Sequence, residues 1–177
     1  DLYCKMLNEA VKNLKGELTI VDFTTTVELE ADAFIPPSYI VNEQQKLDIY
    51  KRIAGVETHA ESEKEELLDR FGEVPKSVDN LLRIALIRVL AHELYITEVK
   101  GRNGELKITM RPDANLKGEN LPVILGKHKN KLTFSARGTP VFFYRYKKCG
   151  VVEKDAENLI RLTEGLLADM KEILAGN

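Results

Sequence analysis

Three histidines, two cysteines and a dense run of carboxylates are the residues whose types could do chemistry in this sequence. His59, His92 and His128 are scattered, and none stands in H-E-x-x-H. Cys4 and Cys149 each lack a neighbouring cysteine. Zinc needs three or four converging ligands, so the spacing offers no metal centre. His92 falls in an apolar stretch and reads as a semi-buried structural residue. No serine stands in G-x-S-x-G; Ser135, in Phe134-Ser135-Ala136-Arg137-Gly138, reads as strand. Neither G-x-x-x-x-G-K-[ST] nor G-x-G-x-x-G occurs, which excludes phosphate-loop nucleotide hydrolysis by these residues. General acid–base work needs a carboxyl with a perturbed pKa in a cleft, and glutamates along a wet helix are usually a solvated face. The expectation is no catalytic residue, no metal and no cofactor in this chain.

Charge is the stronger signal. Between Glu57 and Glu73 seven acids stand against Lys64 and Arg70, a net of −5. Between Lys127 and Lys148 there are seven bases and no acid: Lys127, Lys129, Lys131, Arg137, Arg145, Lys147 and Lys148. Opposed faces of this kind suit protein partners, because complementary charge guides orientation. They also suit plain solvation. The basic stretch contains Phe134, Phe142, Phe143, Tyr144 and Tyr146 as well. Bases with aromatics can hold a nucleic-acid strand by charge and stacking. Alternation along a strand must nonetheless turn some of those rings into a core.

The elements that position these residues follow from periodicity. A helix is expected over residues 2–14, stopped at Gly16, then a strand over 27–33 ended by Pro36-Pro37. Asn42 can cap a helix to Ala54 with Leu47, Tyr50 and Ala54 inward. A charged helix runs to Phe71 with Leu67, Leu68 and Phe71 as anchors, and Gly72 terminates it. Residues 77–95 form a third helix, apolar on most sides and so central. Asn103-Gly104 marks a hairpin in which Gly101 and Gly104 serve the turn. Residues 112–118 are a loop, 121–125 a short helix, 132–136 and 141–146 two strands, and 153–174 a long helix. Gly165 interrupts that last helix and marks a place for close packing. The class is α+β: a helical N-terminal half, a small mostly antiparallel sheet, and a long C-terminal helix. It reads as a single domain over 1–177, with sub-lobes 1–95 and 96–177.

The 177 residues are 44% apolar and 31% charged, with a net charge of −2. That is a globular composition with no bulk drive toward nucleic acid. No apolar run approaches the ~20 residues of a membrane span. The chain opens Asp1-Leu2-Tyr3-Cys4, without Met, and reads as a piece of a longer protein. Two distant thiols make no disulfide framework, so a cytoplasmic setting is expected.

Two stretches are more specific. One is Ala33-Phe34-Ile35-Pro36-Pro37-Ser38-Tyr39-Ile40, followed by residues 45–54, Gln-Lys-Leu-Asp-Ile-Tyr-Lys-Arg-Ile-Ala. The other is Glu66-Leu67-Leu68-Asp69-Arg70-Phe71-Gly72-Glu73-Val74-Pro75, then Val78, Asn80-Leu81-Leu82 and Ile84-Ala85. Together they resemble the C-terminal domain of the bacterial transcription-repair coupling factor (Mfd) family, strongly over 1–96 and weakly from Gly101 onward. The resemblance implies a non-catalytic regulatory domain of an ATP-driven DNA translocase that acts on stalled RNA polymerase and recruits UvrA. It implies that this domain covers the UvrA-binding surface of a UvrB-like module in the same parent chain. Glu66, Asp69 and Arg70 match the positions expected at that contact. The rival sites are Lys127, Lys129, Lys131, Arg145, Lys147 and Lys148, as a nucleic-acid surface. For Asp69 the alternative role is an ion pair with Arg70 or Arg83. Arg70 could also tie the turn before Pro75.

Overall fold

The computed structural model describes residues 23–55, 60–114 and 116–174. The expected helix over 2–14, Cys4 and His59 lie outside them. The described elements are β1 (Thr26–Leu29), α1 (Glu43–Ala54), α2 (Ala60–Phe71) and α3 (Lys76–Glu93). They continue with β2 (Ile96–Arg102), β3 (Glu105–Met110), a short 3-10 turn (Gly118–Asn120) and α4 (Leu121–Lys127). Last come β4 (Leu132–Ser135), β5 (Val141–Arg145) and α5 (Val152–Ile173). The class is α+β, as expected. The chain divides into two units, one built around Asp32–Val89, the other from Thr25–Ala31 and the chain from Leu90 onward. The strand β1 thus belongs with the second unit, although three helices separate it from β2 in sequence.

The first unit is helical. Asn42 caps α1, its side chain accepting a hydrogen bond from Gln45 N at 3.0 Å. Buried Ile49, Ile53 and Ala54 form the inner stripe, with Tyr50 half-buried. Leu47 is only half-buried, so Ile49 and Ile53 carry what had been expected of it. Ile35 and Ile40 join the same core with Leu67, Val78, Leu81, Leu82 and Ala85. The Pro36-Pro37 pair makes a turn between them, with Tyr39 N and Ile40 N donating to the Pro36 carbonyl. The Pro75 carbonyl opens α3, accepting from Val78 N at 3.1 Å and Asp79 N at 3.0 Å.

The second unit is a five-stranded sheet of order β1-β2-β3-β5-β4. Three pairings are antiparallel, and β1 runs parallel to β2. The Asn103-Gly104 turn has positive φ at both residues, 53° and 81°, as a two-residue hairpin demands. One sheet face is core: Val27, Val99, Leu106, Ile108, Phe142 and Tyr144 are buried there, with Leu159, Ile160, Leu166, Leu167 and Met170 of α5 also buried in this unit. The strand β1 stops at Leu29, short of the expected Ala33. Its last ladder bond is Glu30 N to Gly101 O, and the hairpin leaves residues beyond it no partner to pair with.

Glycine positions correct two expectations. Gly101 is buried in β2 and does not serve the turn; a methyl there would lie 2.9 Å from Leu159 Cδ1 and 3.0 Å from Leu29 Cδ2. Gly165 is exposed, with open space where a methyl would stand, so it marks no close packing. The two alanine substitutions should therefore differ in sign. Gly101→Ala should cost about 1 kcal/mol, the low end for overpacking, because the leucine methyls in the way can shift. Gly165→Ala should stabilise by up to about 1 kcal/mol through helix propensity. Urea unfolding of both variants checks this; the same sign for both would contradict the packing described.

Candidate protein-interaction surface

Helix α2 has a bonded side and an open side. On the bonded side Leu67 is 1% exposed. Glu66 receives both guanidinium nitrogens of Arg52 from α1: Nη1 donates to Oε1 at 2.7 Å and Nη2 to Oε2. Nη2 also donates to Glu63 Oε1 at 3.0 Å. Lys64 reaches Asp79 of α3 at 2.9 Å. At the C-terminal end the Tyr39 hydroxyl lies 3.1 Å from the Leu67 carbonyl and 3.0 Å from the Gly72 carbonyl, sharing its one hydrogen between them. This hydroxyl ties the Pro-Pro-Ser-Tyr segment to the C-terminal end of α2. Gly72 follows with φ 89°, the left-handed conformation that ends helices.

The open side is a stripe. Glu61, Glu65, Leu68 and Asp69 fall at helical spacing and are all exposed, Leu68 by 51%. Leu68 is therefore no anchor, contrary to expectation; one residue past Leu67 on a helix points about 100° away. Asp69 has no ion-pair partner among the described residues, neither Arg70 nor Arg83. Arg70 contacts Glu66 at 3.5 Å and lies over the Phe71 ring, 4.9 Å from its centroid. The turn before Pro75 is made by Gly72 and Tyr39, not by Arg70. Of the three residues singled out from the sequence, Asp69 is free, Glu66 is held, and Arg70 borders Glu66. Sequence reasoning missed the Arg52 fork, because its partners lie 11 and 14 residues away on another helix. The Glu61-Glu65-Leu68 spacing did carry a signal for the stripe.

The basic segment is divided. Lys127 Nζ donates to Asp169 Oδ1 at 2.8 Å, and His128 Nε2 lies 2.9 Å from Oδ2 of the same carboxylate on α5. Lys148 Nζ donates to Glu30 at 2.5 Å. Lys129, Lys131, Arg145 and Lys147 are exposed, with no ion pair among the described residues. Phe142 and Tyr144 are buried, and only Phe143 turns to the other sheet face. Among the described residues no three His, Cys, Asp or Glu side chains converge as metal ligands. None of the described helices is long and apolar enough to cross a membrane.

A family model described as the TRCF domain matches residues 29–121, which include both sequence stretches and the whole of α2. The chain belongs to the TRCF domain family. The match extends past residue 96, beyond the part of the chain where the resemblance is strong. The transcription-repair-coupling factor of Borreliella burgdorferi is 33% identical over 156 residues, covering 87% of this chain and 14% of that protein. That of Bacillus subtilis is 36% identical over 118 residues, covering 65% of this chain and 10% of that protein. The chain thus spans a small part of these relatives. A solved structure, the C-terminal domain of transcription-repair coupling factor, has the same fold, with a TM-score of 0.68 at 24% identity. It covers 85% of this chain and 95% of that one.

The Arg52 fork sets the titration of Glu66. Hydrogen bonding from Arg52, opposed by some burial and aided by Arg70, holds this carboxyl at about 2, against an ordinary 4.5. A depressed carboxyl contributes stability above its unfolded pKa and loses it as pH falls through the folded value. The loss therefore falls between roughly pH 4.5 and pH 2. Arg52→Gln should bring the Glu66 midpoint up toward 4.5, read by NMR of the carboxyl carbon. A midpoint that stays near 2 in that variant would show that Arg52 is not the cause.

Proposed function

We propose that this chain is a regulatory domain without an active site, part of a longer, ATP-driven DNA-tracking factor of transcription-coupled repair in the cytoplasm. Its task is to cover the UvrA-binding surface of a UvrB-like module in the same parent chain. The cover opens when the motor engages stalled RNA polymerase on DNA. The observation that supports this reading is the open stripe of α2. Three acids, Glu61, Glu65 and Asp69, flank an exposed leucine, while the opposite side of the helix is held by Arg52; Lys64 at the edge of the stripe is paired with Asp79, and Tyr39 holds the C-terminal end.

A reversible cover needs contacts that are specific and only moderately strong. Interfaces between domains of one chain bury about 600–1,500 Å² and are fairly polar. Asp69 would supply a charge that meets a basic neighbour without first breaking an internal pair. Leu68 would supply the apolar centre. Glu66 already satisfies Arg52, so its part is to hold α2 in place beside the contact, with Arg70 at the flank.

Asp69→Arg in the full-length parent should raise UvrA binding about tenfold or more, a change of ~1.4 kcal/mol or greater. The same substitution should alter the unfolding free energy of this chain by no more than about 0.5 kcal/mol, as for an unpaired surface residue. Binding of UvrA that stays as weak as in the unsubstituted parent, with the fold intact, would remove Asp69 from the contact.

A further inference from the structure

The sheet face turned away from its buried core carries a pattern that folding does not explain. Register places Glu28, Lys100, Lys107, Phe143 and Thr133 in one row across β1, β2, β3, β5 and β4. The next row sets Arg102, Glu105 and Arg145 side by side, and Arg145 N donates to the Lys131 carbonyl on the neighbouring segment. Lys100, Arg102, Lys131 and Arg145 are exposed, and Lys107 and Phe143 half-buried. None of these five cations has an ion pair among the described residues.

Lys100 and Lys107 face each other directly across an antiparallel pair. Opposed side chains of that kind stand about 5 Å apart at Cβ, and like charges there are destabilising. Beside them, flanked by Lys107, Arg145 and Thr133, is Phe143, the one aromatic side chain of this face among the described residues. The face also holds Glu28, Glu98 and Glu105, two of them in rows with the cations.

We propose that this face is a docking surface for single-stranded nucleic acid. Five cations supply charge for a phosphate backbone, which dominates such affinity. An apolar ring set among them supplies a stacking platform, which every base can use. A sheet face suits unstacked bases, which lie on it and stack on its aromatic side chains. An acidic protein segment would neutralise the lysines but has no use for the ring. The three carboxylates keep the affinity modest and salt-sensitive. The proposal is independent of the α2 contact and uses residues that the 127–148 segment alone does not bring together.

The test is fluorescence polarisation of a labelled oligothymidylate against this chain at low salt. Saturable binding is expected, weakened more than about fivefold by Lys107→Glu and by Phe143→Leu, and left unchanged by Lys129→Glu. Lys107→Glu also creates an opposite-charge pair with Lys100, so its melting temperature should rise as its binding falls, which separates lost binding from lost folding. A duplex of equal length should bind more weakly than the single strand. No saturable binding, equal binding by Lys107→Glu, or a polyglutamate peptide that competes as well as unlabelled oligothymidylate would each overturn the proposal; the last would assign the face to an acidic protein.

Discussion

The fork between Arg52 and the two carboxylates Glu63 and Glu66 decides which side of α2 looks inward. Without it, a helix whose one buried side chain among the described residues is Leu67 would have little to set its rotation. The pair is partly exposed, and exposed ion pairs contribute little to stability on their own. What it contributes here is orientation. A guanidinium that meets one carboxylate with two nitrogens fixes angle as well as distance. Tyr39 fixes the far end of the same helix through two backbone carbonyls. With rotation and end both set, Leu68 and Asp69 must face outward.

The sheet obeys a different constraint. Its period of two sends Phe142 and Tyr144 into the core and leaves Phe143 on the other face. The buried face demands a close approach of α5, and Gly101 beneath Leu159 provides it. Polar contacts then tie the unit together at its margins. Lys148 reaches Glu30 at the end of β1. Asp155 accepts from Cys149 N and Gly150 N ahead of α5, which keeps its carboxyl below the ordinary range. Lys127 and His128 share Asp169. These contacts use up part of the basic segment that looked uniform in one dimension.

Much of the architecture was legible because it is written in short-range signals. The Asn42 cap, the Asn103-Gly104 hairpin, the Gly72 stop and the stripe of α5 each depend on residues within a few positions of one another. The misreadings have a common cause. The spacing makes Leu68 an anchor, Gly101 a turn residue and Gly165 a packing site, and the structure differs at each because of what lies opposite the residue in space.

By itself the sequence determined the α+β class, where most of the described helices and strands begin and end to within a few residues, and the family, through two stretches of local motif. Local propensity and period suffice for that. Only the tertiary structure decided that Glu66 is bound while Asp69 is free, that β1 pairs with β2 across three intervening helices, and that Lys107 stands beside Phe143. Those facts depend on register and on which helix face meets which neighbour. Both are set by contacts between residues distant in the chain, where no local spacing carries the information.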